Sequence, residues 1–128
     1  MAHFETMTLP AEPTLVATDG SDVRVLLHVG AGGMANFQLA PGLTSTPVRH
    51  RTVEEIWYVV AGRGQMWRSQ DGREEIVELV PGTCLTILLG TSFQFRAGDT
   101  TALEVIGATM PPWPGDDEAV PTEGCPDW

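Results

Sequence analysis

An all-β fold, a sandwich or barrel of short strands, is predicted by three features of this sequence. Its 128 residues include 14 Gly and 10 Pro, about half again the usual combined share of ~12%, so the chain turns often. Apolar residues recur at period two in short runs bounded by Gly and Pro, the pattern of half-buried strands. No stretch carries the period of an amphipathic helix over three turns.

The elements follow in order. Residues 23–29 alternate around a half-buried strand that Gly30-Ala31-Gly32-Gly33 ends; with no Lys and no helix after it, this glycine run is a strand connection rather than a phosphate loop. Residues 34–40 form the next run, stopped by Pro41-Gly42, and residues 47–51 a short third. Residues 55–60 are the strongest strand; Ile56, Tyr58 and Val60 are apolar on the parity opposite Glu55, so both faces want burial. Residues 65–68 and 75–79 flank Asp71-Gly72, the best hairpin turn in the chain. After Pro81-Gly82 come residues 84–89, 93–96 and 102–109, about nine strands in all, the number of a small sandwich or barrel. In residues 34–40 the apolar pair Phe37 and Leu39 is expected inside and Asn36 and Gln38 outside. Glu104 is expected to face solvent.

The domain reading is an acidic arm over residues 1–22, a barrel over 23–110 and a tail over 111–128. The tail is rich in Pro and acids and is expected not to continue a sheet. It nevertheless holds Trp113 and Trp128, half the tryptophans of the chain, so it is expected to lie against the barrel or a neighbouring subunit.

Charge narrows the function classes. Formal net charge is −10, concentrated in the two flanks, while the middle is nearly neutral; this argues against nucleic acid and anionic membrane as partners. All seven cations are Arg, which excludes a lysine Schiff base or a Walker lysine. No apolar run approaches the ~20 residues that span a bilayer. The start, Met-Ala-His-Phe-Glu, lacks the basic and apolar regions of a secretory leader, so a cytoplasmic address is expected. Cys84 and Cys125 lie in no metal or redox spacing and read as a core thiol and a tail thiol.

The most informative stretch runs from Pro47 through Val48, His50, Glu55 and Trp57 to Gly62. It resembles the first motif of the cupin family: His, any residue, His, three or four residues, Glu, six residues, Gly. Glu55 and Gly62 match, His50 stands at the second His position, and Val48 stands at the first. The second motif is similar to Leu88-Leu89-Gly90-Thr91-Ser92-Phe93 followed by Ala97, with Gly90 retained, Phe93 at the His position and Ala97 at the Asn position. The resemblance covers roughly residues 23–110 and implies a jelly-roll barrel whose lumen is the site. A family metal would be held by three His and one Glu, of which only His50 and Glu55 remain, too few for a well-held catalytic ion.

No cofactor is therefore expected. The alternative is a divalent transition metal on His50, Glu55 and His28, although His28 shares parity with Arg24 and Leu26. The resemblance also places Val48, Trp57, Val59, Phe93 and Phe95 along the lumen as substrate-binding walls. A lone imidazole in such a cavity is a general acid or base, its pKa raised or its ring oriented by the carboxylate. The resulting expectation is a small-molecule enzyme carrying out isomerisation, cyclisation, dehydration or epimerisation on an apolar or aromatic metabolite, with His50 and Glu55 as catalytic residues. Its alternatives are a metal-dependent cupin oxygenase or isomerase and a non-catalytic small-molecule-binding cupin. Arg68 and Gln65 could reach a ligand, with parity undecided. A homodimer is expected to cover the apolar outer sheet face.

Overall fold

Alternation of burial along each strand sets the architecture. In the residues described by the structure, a computed structural model covering 3–128, eleven strands form: β1 (Leu15–Val16), β2 (Asp22–His28), β3 (Gly33–Leu39), β4 (Val48–His50), β5 (Glu54–Ala61), β6 (Gly64–Gln70), β7 (Arg73–Leu79), β8 (Cys84–Ile87), β9 (Ser92–Ala97), β10 (Leu103–Met110) and β11 (Ala119–Pro121). Along β5, Glu55, Trp57 and Val59 are buried while Glu54, Ile56, Tyr58 and Val60 are exposed. One side of the strand therefore faces a second sheet and the other faces outward.

The strands make two antiparallel sheets, one in the order β1-β2-β3-β10-β5-β8 and the other β11-β4-β9-β6-β7. Their inner faces meet in one core that includes Val48, Trp57, Val59, Met66, Phe93 and Phe95. Trp57 stands at its centre, stacked on Phe37 at 5.5 Å and edge-on to Phe95 at 5.0 Å and Phe93 at 6.1 Å between ring centroids. Among the described residues no helix is long and apolar enough to cross a membrane.

Turn chemistry agrees with the sequence at two places. Asp71 and Gly72 both have positive φ, 52° and 79°, the backbone of a two-residue hairpin turn, and they join β6 to β7 with Gln70 opposite Arg73. Gly62, the last residue of the first motif, has φ 80°, and a Cβ there would overlap the Ala102 carbonyl oxygen, so no other residue fits.

Four expectations are corrected. The tail does continue a sheet: β11 pairs with β4, Ala119 opposite His50 and Pro121 opposite Val48. Proline is tolerated because β11 is an edge strand and Pro121 is its last residue. The arm likewise contributes β1 to the other sheet. Asn36 is buried on the outer face, donating from Nδ2 to Glu104 at 2.7 Å and accepting from Gln38; Glu104 is thus half-buried and paired rather than solvated. The arm crosses that face, since Arg24, opposite Asn36, donates to the Pro10 and Ala11 carbonyls. Finally, Cys84 is exposed and Cys125 buried, both free, because Cys84 lies opposite the outward Tyr58.

Candidate active site

His50 ends β4 and Glu55 is the second residue of β5, so the tight connection between them brings two inward side chains together across the sheets. Nδ1 of His50 lies 3.3 Å from Oε2 of Glu55, and the residues are only 6% and 3% exposed. The connection is held by the tail. Glu118 accepts from the Thr52 N–H at 2.6 Å, the Val53 N–H at 3.0 Å and the Thr52 hydroxyl at 2.6 Å, and the Arg51 N–H donates to its carbonyl. The imidazole sits between two aromatic edges, Phe93 at 5.1 Å on the core side and Trp113 of the tail at 4.9 Å on the other.

The pair is short of partners. The 3.3 Å contact lacks hydrogen-bond alignment, and His50 Nδ1, Glu55 Oε1 and Trp57 Nε1 are all buried without a hydrogen bond. Buried polar atoms in this state are costly and uncommon, and these belong to neighbouring side chains. Their setting favours neutral forms. Burial pushes the Glu55 carboxyl up to about 8, with the Asp19 and Glu118 carboxylates adding to the shift and the nearby Trp57 indole N–H opposing it. Burial also lowers His50 to about 4, against the opposing influence of Glu118 and the Val53 backbone. Near pH 7 the site therefore holds a protonated carboxyl beside a neutral imidazole, the reverse of the raised imidazole expected from the sequence. Burial likewise raises Asp19, despite its hydrogen bonds from Ser21. For Glu118 burial acts upward too, but the bonds from Thr52 and Val53 outweigh it and leave the carboxyl below its ordinary value.

The five residues expected to wall a lumen, Val48, Trp57, Val59, Phe93 and Phe95, all face inward and are each about 1% exposed or less. They fill the space they were expected to enclose, because five large apolar side chains from two facing sheets interdigitate at core density. The concavities lie elsewhere. A groove of about 770 Å³ follows the seam between β7 and β8, lined by Arg68, Gln70, Arg73, Thr86, Leu88 and Thr91. Another of about 450 Å³ lies near Arg63, Glu78 and Arg96.

The residues present do not fit a metal. Val48 and Phe93, paired across β4 and β9, offer no donor atoms where the family pattern has imidazoles. His28 cannot substitute. It is exposed at the end of β2 and sits in the row His28, Gly33, Thr109, Glu55 across four strands, three strand spacings or about 14 Å from Glu55. Among the described residues no three His, Cys, Asp or Glu side chains cluster as a metal ion would require.

Parity settles the weaker candidates. Arg68 lies opposite Phe93 on the inner face but is engaged with the Thr86 carbonyl and the Glu75 carboxylate at the seam. Gln65 faces out, bonded to Arg96 and Glu78, and Tyr58, Arg49 and Arg51 are exposed. Asp19 and Glu118, which shape the pair's electrostatics, are missing from the sequence reading, and Trp113, which covers the pair, enters it only as a tail residue expected against the barrel or a neighbouring subunit. Only the tail tryptophan left a signal, as a large aromatic in an otherwise polar segment.

No protein-family model matches the chain, and no curated protein matches it. Solved structures do. The capsular polysaccharide assembling protein CapF of Staphylococcus aureus matches with a TM-score of 0.69 at 19% identity, over 80% of this chain and 32% of that one, so this chain spans about a third of it. A protein from Bacillus halodurans matches with 0.66 at 18% identity, over 85% of this chain and 81% of that one. A predicted oxalate decarboxylase of Thermotoga maritima matches with 0.65 at 20% identity, over 81% and 98%. The two antiparallel sheets, their strand order and these likenesses together give the chain a double-stranded β-helix fold.

Proposed function

We propose that this chain is a metal-independent acid–base enzyme acting on an apolar or aromatic metabolite, with His50 and Glu55 as its catalytic pair. The observation that carries the reading is the pair itself: two buried, adjacent, oppositely shifted groups, each with an unpartnered atom in an apolar setting. Nδ1 of His50 takes a proton from the substrate, and the Glu55 carboxyl gives one to another substrate atom. Transfer from the resulting imidazolium to the carboxylate across the 3.3 Å contact restores both groups, so no net proton is gained or lost. Isomerisation, epimerisation, cyclisation and dehydration all need such a paired transfer.

The test is deuterium wash-in from D₂O into enolisable aromatic ketones, followed by NMR across pH. The base must be unprotonated and the acid protonated. The rate is therefore expected to hold a plateau between about 4 and about 8, falling below as His50 charges and above as Glu55 ionises. A rate that climbs unbroken through pH 8 overturns the assignment. Binding without turnover is the second reading, favoured by the groove between β7 and β8, which neither His50 nor Glu55 lines; it predicts ligand retention with no wash-in.

A homodimer accompanies this reading. Met34, Ile56, Tyr58 and Val60 are each more than 40% exposed. They adjoin one another through Ala108 and Ile106 of β10 on the outer face. A second copy seated there covers both apolar patches at once. Sedimentation at about 10 µM is expected to give a dimer that Tyr58→Glu converts to monomer; a wild-type monomer at that concentration refutes the dimer.

A further inference from the structure

We infer that residues 111–117 form a gate over the candidate site, with Trp113 as its movable panel. The imidazole of His50 is enclosed from two sides by unequal neighbours. Phe93, at 5.1 Å, is 1% exposed and locked among Trp57 and the core. Trp113, at 4.9 Å, is 43% exposed and belongs to a segment outside both sheets. Approach to His50 through Phe93 would require repacking the core, whereas approach past Trp113 requires only that the tail segment swing away.

The ends of the segment are fixed and its middle is not. On one side β10 runs to Met110, paired with Glu54. On the other, β11 pairs with β4 and Glu118 is clamped by Thr52 and Val53, itself 2% exposed. Between these anchors the segment is held by the Trp113 ring, a Glu118 N–H to Gly115 carbonyl bond of 3.3 Å and the Arg51–Asp117 ion pair. Both partners of that ion pair are exposed, 57% and 82%, so water screens it. A strap with firm ends, a solvated middle and one aromatic side chain on the site is built to open locally while the barrel stays folded. This inference concerns access to the site of the proposed function, and its test requires no turnover.

Carbethoxylation by diethyl pyrocarbonate at pH 6.5, read by peptide mass spectrometry, measures access to each imidazole, with the exposed His3 and His28 as internal references. In the wild-type protein His50 is expected to react about 100-fold more slowly than His28, and Trp113→Ala to raise the His50 rate about 10-fold or more with His28 unchanged. Trp113→Phe, which keeps an aromatic panel, is expected to stay near wild type. Equal rates at His50 and His28 in the wild type, or a His50 rate unmoved by Trp113→Ala, overturns the gate. If Trp113→Ala does not fold, amide exchange on the wild-type protein decides. The Trp113 and 115–117 amides are expected to exchange about 100-fold faster than those of β10 and β11, and equal protection overturns the inference.

Discussion

Replacing His50 with Ala is expected to lower proton-transfer turnover by about 10²–10⁴-fold, the range for removal of a positioned general base. Glu55→Gln is expected to do the same, because an amide keeps the shape and the hydrogen-bonding hydrogens of the acid but cannot deliver a proton. The two groups act as one relay, so the double variant should lose little more than either single one. The fold must be monitored alongside. His50 fills space between Phe93 and Trp113, and truncation leaves a cavity, so near-ultraviolet dichroism and a thermal midpoint belong in the experiment. His50→Gln, closer in volume, guards against collapse of the Ala variant. Folded single variants that keep turnover within about threefold of wild type would eliminate the pair as catalytic residues and leave it a packing feature.

The second large effect is on stability against pH. Glu55 has a folded pKa of about 8 against an ordinary 4.5. The folded state therefore holds a proton that the unfolded state has released, and the associated stability is full below 4.5 and lost as pH climbs through 8. His50, at about 4 against 6.5, acts oppositely: the unfolded state takes up the proton first, so stability rises between about 4 and 6.5 and is level above. Between pH 4.5 and 6.5 the two slopes cancel. From 6.5 to 8 only the Glu55 slope remains, and the protein is expected to lose about 2 kcal/mol. Urea midpoints are expected to fall more steeply over the upper window than over the lower one, where only the raised Asp19 adds to the loss. In Glu55→Gln the fall above 6.5 should vanish and a rise below it should be uncovered. Parallel curves for wild type and variant through pH 8.5 would show that Glu55 is already ionised at neutral pH.

Much of the frame is legible in the sequence. The parity of residues 55–60 puts Trp57 and Val59 inside and Tyr58 outside, and the Asp71-Gly72 hairpin and the Gly62 turn stand where turn chemistry demands them. The resemblance to the cupin motif announces the meeting of His50 and Glu55, and the tight connection between β4 and β5 realises it. The protonation pattern is less accessible. It depends on how dry the surroundings are, and that dryness comes from Phe93, Trp113 and the tail, residues far away in sequence. Period-two reasoning also assumes that the outer face of a sheet is wet. It fails at Asn36, whose amide is buried in bonds with Glu104 and Gln38 on the outer face, and at the tail, where a three-residue edge strand is too short for any periodicity to register. The filled lumen was hidden for a further reason: alternation identifies which side chains point inward but not whether they touch.

The pairing of β11 with β4 has a consequence for the order of assembly. His50 and Glu55 stand on β4 and β5, and residues 113–121 complete the site only once they dock against those strands. Until then the margin of β4 is bare, Thr52 and Val53 have no acid to receive their amide protons, and the imidazole has a cover on one flank only. A chain whose residues 113–121 have yet to dock thus holds its chemistry assembled but unshielded. Docking of this segment, rather than closure of the barrel, finishes the site.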